Sequence, residues 1–160
     1  MPLVSTASRG HSYERYQAPQ MLLPADKVAA VDLAAAANTS LAKFWIPAGW
    51  GKVQVLAMGF HYAAGGGAQT TDGTMVMEIG GVDVEDANGN DFTVTSVASH
   101  TINDVVETEL NSTTDNLSAE PSYPEASSAQ LIELKVGTQG AGVGDQTVWP
   151  YIIVRILAGQ

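Results

Sequence analysis

The sequence predicts an all-β fold: an antiparallel β-sandwich, jelly-roll-like, of about eight strands behind an extended N-terminal arm. Three observations predict it. Apolar residues alternate with the two-residue period of strands, most clearly over 43–62, 74–79, 129–136 and 148–157. Turns rich in glycine, asparagine and proline separate these stretches at short, regular intervals. The chain also lacks a long run with the 3.6-residue apolar period of a helix.

The stretch from Lys43 to Gly67, KFWIPAGWGKVQVLAMGFHYAAGGG, anchors the prediction. Phe44 and Ile46 face one way, and Lys43 and Trp45 the other. Pro47-Ala48-Gly49 then ends the strand, because proline has no N–H to donate and glycine accepts positive φ. In the longer strand that follows, Val53, Val55, Ala57, Gly59 and His61 share one face. Gln54, Leu56, Met58, Phe60 and Tyr62 share the other. Both faces are largely apolar, which predicts a central strand covered on both sides. The two strands together read as a buried hairpin.

The remaining elements follow in order. Residues 1–25 carry neither period and form the arm; residues 26–160 form the sandwich. Tyr13, Tyr16 and Met21-Leu22-Leu23 are anchors that would order the arm against a partner. The run DKVAAVDLAAAA, 26–37, fits a helix capped by Asp26 and also a strand. Its continuity with the next strand favours a first strand over Val28 to Leu33. Gly65 to Gly73 is a loop, Thr74 to Ile79 a strand, and Gly80-Gly81 a turn or bulge. Short strands at 82–85 and 92–97 flank an Asn88-Gly89 hairpin signal. A strand at 105–110 leads into a polar loop, 111–128, which is long for a compact domain. A strand over 129–136, a glycine-rich loop and the terminal strand VWPYIIVRIL complete the chain. Pro150 places the start of that last strand at an edge or a bulge.

Composition narrows the function. The chain has 160 residues, enough for one domain that buries roughly two thirds of its unfolded surface. With no cysteine it has no thiolate nucleophile, iron–sulfur cluster or cysteine zinc site. The net charge is −10, and all of it lies beyond residue 40, since Arg9, Arg15 and Lys27 cancel Glu14, Asp26 and Asp32. Such a body repels phosphate backbones and anionic membrane surfaces. No run approaches the ~20 apolar residues of a membrane helix, and the N-terminus lacks the apolar core of a signal peptide.

The chemical motifs are few. Asp83, Glu85, Asp86, Asn88, Asn90 and Asp91 gather oxygen ligands around a glycine, but the spacing does not match an EF-hand. A solvated hairpin tip explains them better. His11, His61 and His100 show no ligand spacing, and His61 reads as a packing histidine within an apolar strand. No GxSxG elbow, GxGxxG or GxxxxGK[ST] loop occurs. The chain is therefore read as a non-enzyme with no catalytic residues, metal or cofactor. Trp45 and Trp50 flank the Pro-Ala-Gly turn and Trp149 opens the last strand. Exposed aromatics of this kind serve as interface anchors or sugar platforms, and otherwise as packing.

The run VDLAAAANTSLAKFWIPAGWGKVQVLAMGFHYAAGGG and the closing VWPYIIVRIL resemble small β-sandwich proteins encoded among tailed-bacteriophage head genes. The resemblance covers 31–67 and 129–158 and rests on pattern. It implies a head decoration, or cement, protein, made in the host cytoplasm and carried on the capsid surface of the virion. It further implies a homotrimer that bridges subunits of the major capsid protein. The long 111–128 loop departs from the smallest members. The residues expected to meet a partner are Tyr13, Arg15, Tyr16 and Leu22 of the arm, with Trp45 and Trp50 at the turn. No nucleic acid and no membrane partner is expected. The rival reading is a carbohydrate- or receptor-binding module of a virion fibre, using Trp45, Trp50 and the 111–128 loop.

Overall fold

A computed structural model describes residues 20–24, 29–46, 52–67, 69–85, 90–109, 130–142 and 146–157. Every regular element among them is a strand: β1 (Gln20–Leu22), β2 (Val31–Asp32), β3 (Ser40–Ile46), β4 (Lys52–Tyr62), β5 (Gln69–Thr71), β6 (Thr74–Ile79), β7 (Val82–Asp83), β8 (Thr93–Thr95), β9 (Val105–Glu109), β10 (Gln130–Val136), β11 (Ala141–Gly142) and β12 (Thr147–Leu157). All pairings are antiparallel. One sheet runs β1-β12-β4-β9, with β2 also on β12; the other runs β3-β10-β6-β7, with β8 also on β6. A small ribbon, β11-β5, stands apart from both.

The two sheets share one core. Met58, Phe60, Tyr62, Val148, Ile152 and Val154 enter it from the first sheet, and Phe44, Ile46, Met75, Met77, Ile132 and Leu134 from the second. Each set follows the period-two alternation expected of a half-buried strand. Two bulges adjust the count. Pairing skips Leu56 between Ala57↔Ile153 and Val55↔Val154, so Val55 shares the core face with Met58 and Phe60. Pairing also skips Leu41 in β3, and both Leu41 and Ala42 are buried.

The strand–turn–strand over 43–62 is not a hairpin. Among the described residues β3 pairs only with β10 in the second sheet, while β4 lies between β12 and β9 in the first. Each strand is apolar on its core face because each supplies one wall of the same core. β4 is nevertheless central, as its two apolar faces predict. The strand expected over 28–33 is also shorter. Among its described residues only Val31–Asp32 pairs, because the Asp32 carboxylate accepts a hydrogen bond from Ala34 N–H at 2.8 Å and starts a turn.

Gly80 and Gly81 form the expected turn, with φ of +62° and +81°, the two positive values a tight β6–β7 connection requires. The expected strands at 82–85 and 92–97 shrink to β7 and β8, which lie in succession along the same side of β6. Between them the chain leaves the sheet and closes on itself at the Glu85↔Asp91 bridge.

Pro150 lies in a central strand, not at its edge. On one side it faces Phe60 of β4. On the other, β2 pairs with Thr147 and Val148, and β1 begins opposite Ile152. Gln146 C=O accepts from Leu33 on that side, so by alternation the nitrogen of Pro150 faces the gap between β2 and β1. The missing N–H therefore costs no ladder bond.

The outer face of the second sheet carries two cross-strand ion pairs. Lys43 reaches Glu133 at 3.6 Å across β3 and β10, and Lys135 pairs with Glu78 across β10 and β6. A hydrogen bond from Ser40, helped by the two lysines, holds the Glu133 carboxyl below the usual carboxylate range.

Candidate interaction surface

The outer face of the first sheet presents a row of exposed apolar groups. By register, Trp149 of β12, His61 of β4 and Val105 of β9 form one cross-strand row. Tyr151, Gly59 and Glu107 form the next. Ile153 and Ala57 follow, with Met21 of β1 beside Ile153. In the first row Val105 is 52% and Trp149 41% exposed. Large apolar groups standing in water on the face of a rigid sheet are the informative exception to burial.

The second row shows how this face is held. Tyr151 is only 1% exposed, although it points away from the core. Its ring lies over Gly59, where a Cβ would meet the Tyr151 hydroxyl at 2.7 Å and Val106 C=O at 2.6 Å. The His61 ring packs beside it at 5.2 Å between centroids. The Tyr151 hydroxyl crosses the glycine and donates to Glu107 Oε2 at 2.6 Å. One carboxylate oxygen is thereby fixed on an exposed side chain.

Burial, then the neighbouring Glu107 carboxylate, pushes the Tyr151 hydroxyl well above the ordinary tyrosine value. Burial does the same for Tyr62, against the N–H that Val97 donates to its oxygen at 2.8 Å. A raised pKa of the folded state favours the neutral phenol, so this stabilisation is complete below the unfolded value near 10 and is lost as pH rises towards the folded values. Urea unfolding is therefore expected to show stability falling from about pH 10 upward. Tyr151→Phe should make that decline shallower. An unchanged slope in the variant would show that Tyr151 is not the group responsible.

The other candidates fall elsewhere. Trp45 is 63% exposed on the outer face of the second sheet, opposite Leu131. It and Trp149 thus occupy different sheets and do not make one platform. Leu22 pairs opposite Ile152 and packs on the core, while its neighbours Met21 and Leu23 are exposed. Tyr13, Arg15, Tyr16, Trp50, His11, the 111–128 loop and the 86–89 hairpin tip lie outside the described residues. Among the described residues no group of three or more His, Asp or Glu is placed to hold a metal. His100 is buried and stacks on Tyr62 with ring centroids 3.4 Å apart, a packing role. No described helix is long and apolar enough to cross a membrane.

A buried polar cluster sits at the foot of the ribbon. Ser96 Oγ accepts from Gly73 N–H at 2.9 Å and donates to Gln69 Oε1 at 3.0 Å. The Gln146 carboxamide fills the space beside Gly73 and Gly140 that a Cβ there would need. The cluster ties loops together.

Compared with family models, curated proteins and solved structures, the chain matches none.

The exposed row was not legible as a unit in the sequence. Its signal is the odd-numbered face of VWPYIIVRIL, Trp149, Tyr151 and Ile153, set against the small residues Ala57 and Gly59. Reading it requires knowing that β12 pairs with β4.

Proposed function

We propose that this chain is a structural protein that binds an assembled shell and stabilises it, a decoration or cement protein on the capsid surface of a tailed phage. The observation that carries the reading is the exposed Trp149–Val105 row on the outer face of the first sheet. Its two inner strands, β4 and β12, pair over most of their length, so the face is presented with little ordering cost. Binding the assembled state alone stabilises it by mass action, and several weak contacts per particle add through avidity. In this reading the partner is the major capsid protein and the chain acts as a homotrimer. Tyr13, Arg15, Tyr16 and Trp50 supply further contacts, with Met21 and Leu23 exposed beside Leu22.

Shells purified from the source of the chain are expected to contain it, seen as regular projections by electron cryomicroscopy and identified by mass spectrometry. Shells without the protein overturn the reading. Location at a fibre tip, together with binding on a glycan array, would replace it with the receptor-binding module.

A further inference from the structure

The outer face of the first sheet also indicates what kind of surface it meets. Val105 shares the outer face of β9 with Glu107, two residues on. Glu107 is exposed and positioned. The Tyr151 hydroxyl donates to its Oε2 at 2.6 Å. Trp149 lies across His61 from Val105. Arg155 stands towards the far end of β12, and Lys43 and Lys135 are engaged on the opposite sheet. Among the described residues, this end of the face therefore sets an apolar and aromatic row beside the positioned carboxylate of Glu107.

We propose that this face seats a basic segment of a partner protein, with an apolar side chain on the Trp149–Val105 row and an arginine or lysine on Glu107. Charge decides between occupants. A second copy brought face to face would set Glu107 towards its own counterpart, on chains that each carry −10. Nucleic acid and anionic lipid are repelled by the same charge. A cationic partner gains from both features, because a guanidinium or ammonium group pairs with carboxylate and also binds an indole face. Successive same-face residues of an extended segment are about 7 Å apart, close to the spacing between neighbouring rows of the sheet. The inference rests on the binding role of this face and does not require the partner to be a capsid.

The test uses the full chain, 15N-labelled, titrated with two 12-residue peptides. One repeats Leu-Ser-Arg-Ser, so that leucine and arginine succeed each other on one face of the extended chain; the other replaces every basic residue by glutamate. The basic peptide is expected to shift the Trp149 indole resonance and the amides of His61 and Val105. Its affinity should fall at least tenfold on Trp149→Ala and several-fold on Glu107→Gln, which keeps an acceptor for Tyr151. Raising salt from 50 to 300 mM should weaken it further. Equal binding of both peptides, or no loss in either variant, overturns the proposal, as does concentration-dependent self-association through the same resonances. If the peptide binds as expected but purified shells lack the protein, only the shell assignment fails. If shells carry the protein and both variants decorate them fully, only this inference fails.

Discussion

Phe60→Ala is expected to cost about 3–5 kcal/mol, a large share of the ~5–15 kcal/mol that holds a domain of this size folded. Phe60 is fully buried on the core face of β4. It meets Tyr62 edge to face at 5.3 Å, opposite Pro150 of β12. Truncation removes the apolar transfer term and the aromatic contact, and it leaves a cavity between two sheets that are each pinned by hydrogen bonds. The surrounding strands cannot collapse onto the space without breaking the β4–β12 ladder. Urea denaturation should show a lower midpoint with an unchanged slope. Trp45→Ala is the control: a larger side chain, but exposed, and expected to change stability by no more than ~0.5 kcal/mol. A loss below ~1 kcal/mol for Phe60→Ala, or equal losses for the two variants, would contradict the placement of the core.

Local pattern was legible wherever one physical rule decided it. The alternation Leu131, Glu133, Lys135 against Ile132, Leu134, Val136 names both faces of β10, because one face is buried and the other is not. The same holds for Met75, Met77 and Ile79 of β6. Gly80-Gly81 was legible as a turn because glycine accepts positive φ without strain. Pairing was not legible, because it depends on which strands meet in space. The Pro-Ala-Gly turn looks like a hairpin turn, yet the chain crosses between sheets there. Pro150 looked like an edge marker, and its partner strand on one side is interrupted instead.

The interaction surface fell between these cases. Composition located the acidic charge beyond residue 40, and the tryptophans stood out individually. Neither shows that Trp149 shares a row with Val105 while Trp45 lies on the opposite sheet. Charge became informative only once the sheets separated it. Lysines and glutamates pair on one outer face, while the other sets the Glu107 carboxylate beside exposed apolar groups. A sequence average of −10 conceals that division.

Gly59→Ala is the second large effect, and it tests how the exposed face is built. Glycine in a strand interior ordinarily weakens it, so alanine would normally stabilise this position. Here the added Cβ would lie 2.6 Å from Val106 C=O and 2.7 Å from the Tyr151 hydroxyl. The carbonyl belongs to the paired backbone of β9 and cannot retreat cheaply. Tyr151 can lift, but only by giving up its bond to Glu107 and its packing on His61. Overpacking costs about 1–3 kcal/mol, and a hydrogen bond to a charged group contributes about 1.5–3 kcal/mol more. The total expected loss is therefore about 2.5–6 kcal/mol, larger than a single surface methyl group would suggest. A double-mutant cycle separates the two causes. In a Tyr151→Ala background the clash with the ring is gone while the clash with Val106 remains, so Gly59→Ala should still destabilise, by about 1–3 kcal/mol. Full rescue would assign the whole cost to the tyrosine and leave β9 free to shift. A neutral Gly59→Ala in the parent chain would mean that Tyr151 does not lie over Gly59, and the carboxylate it orients on Glu107 would lose its fixed position.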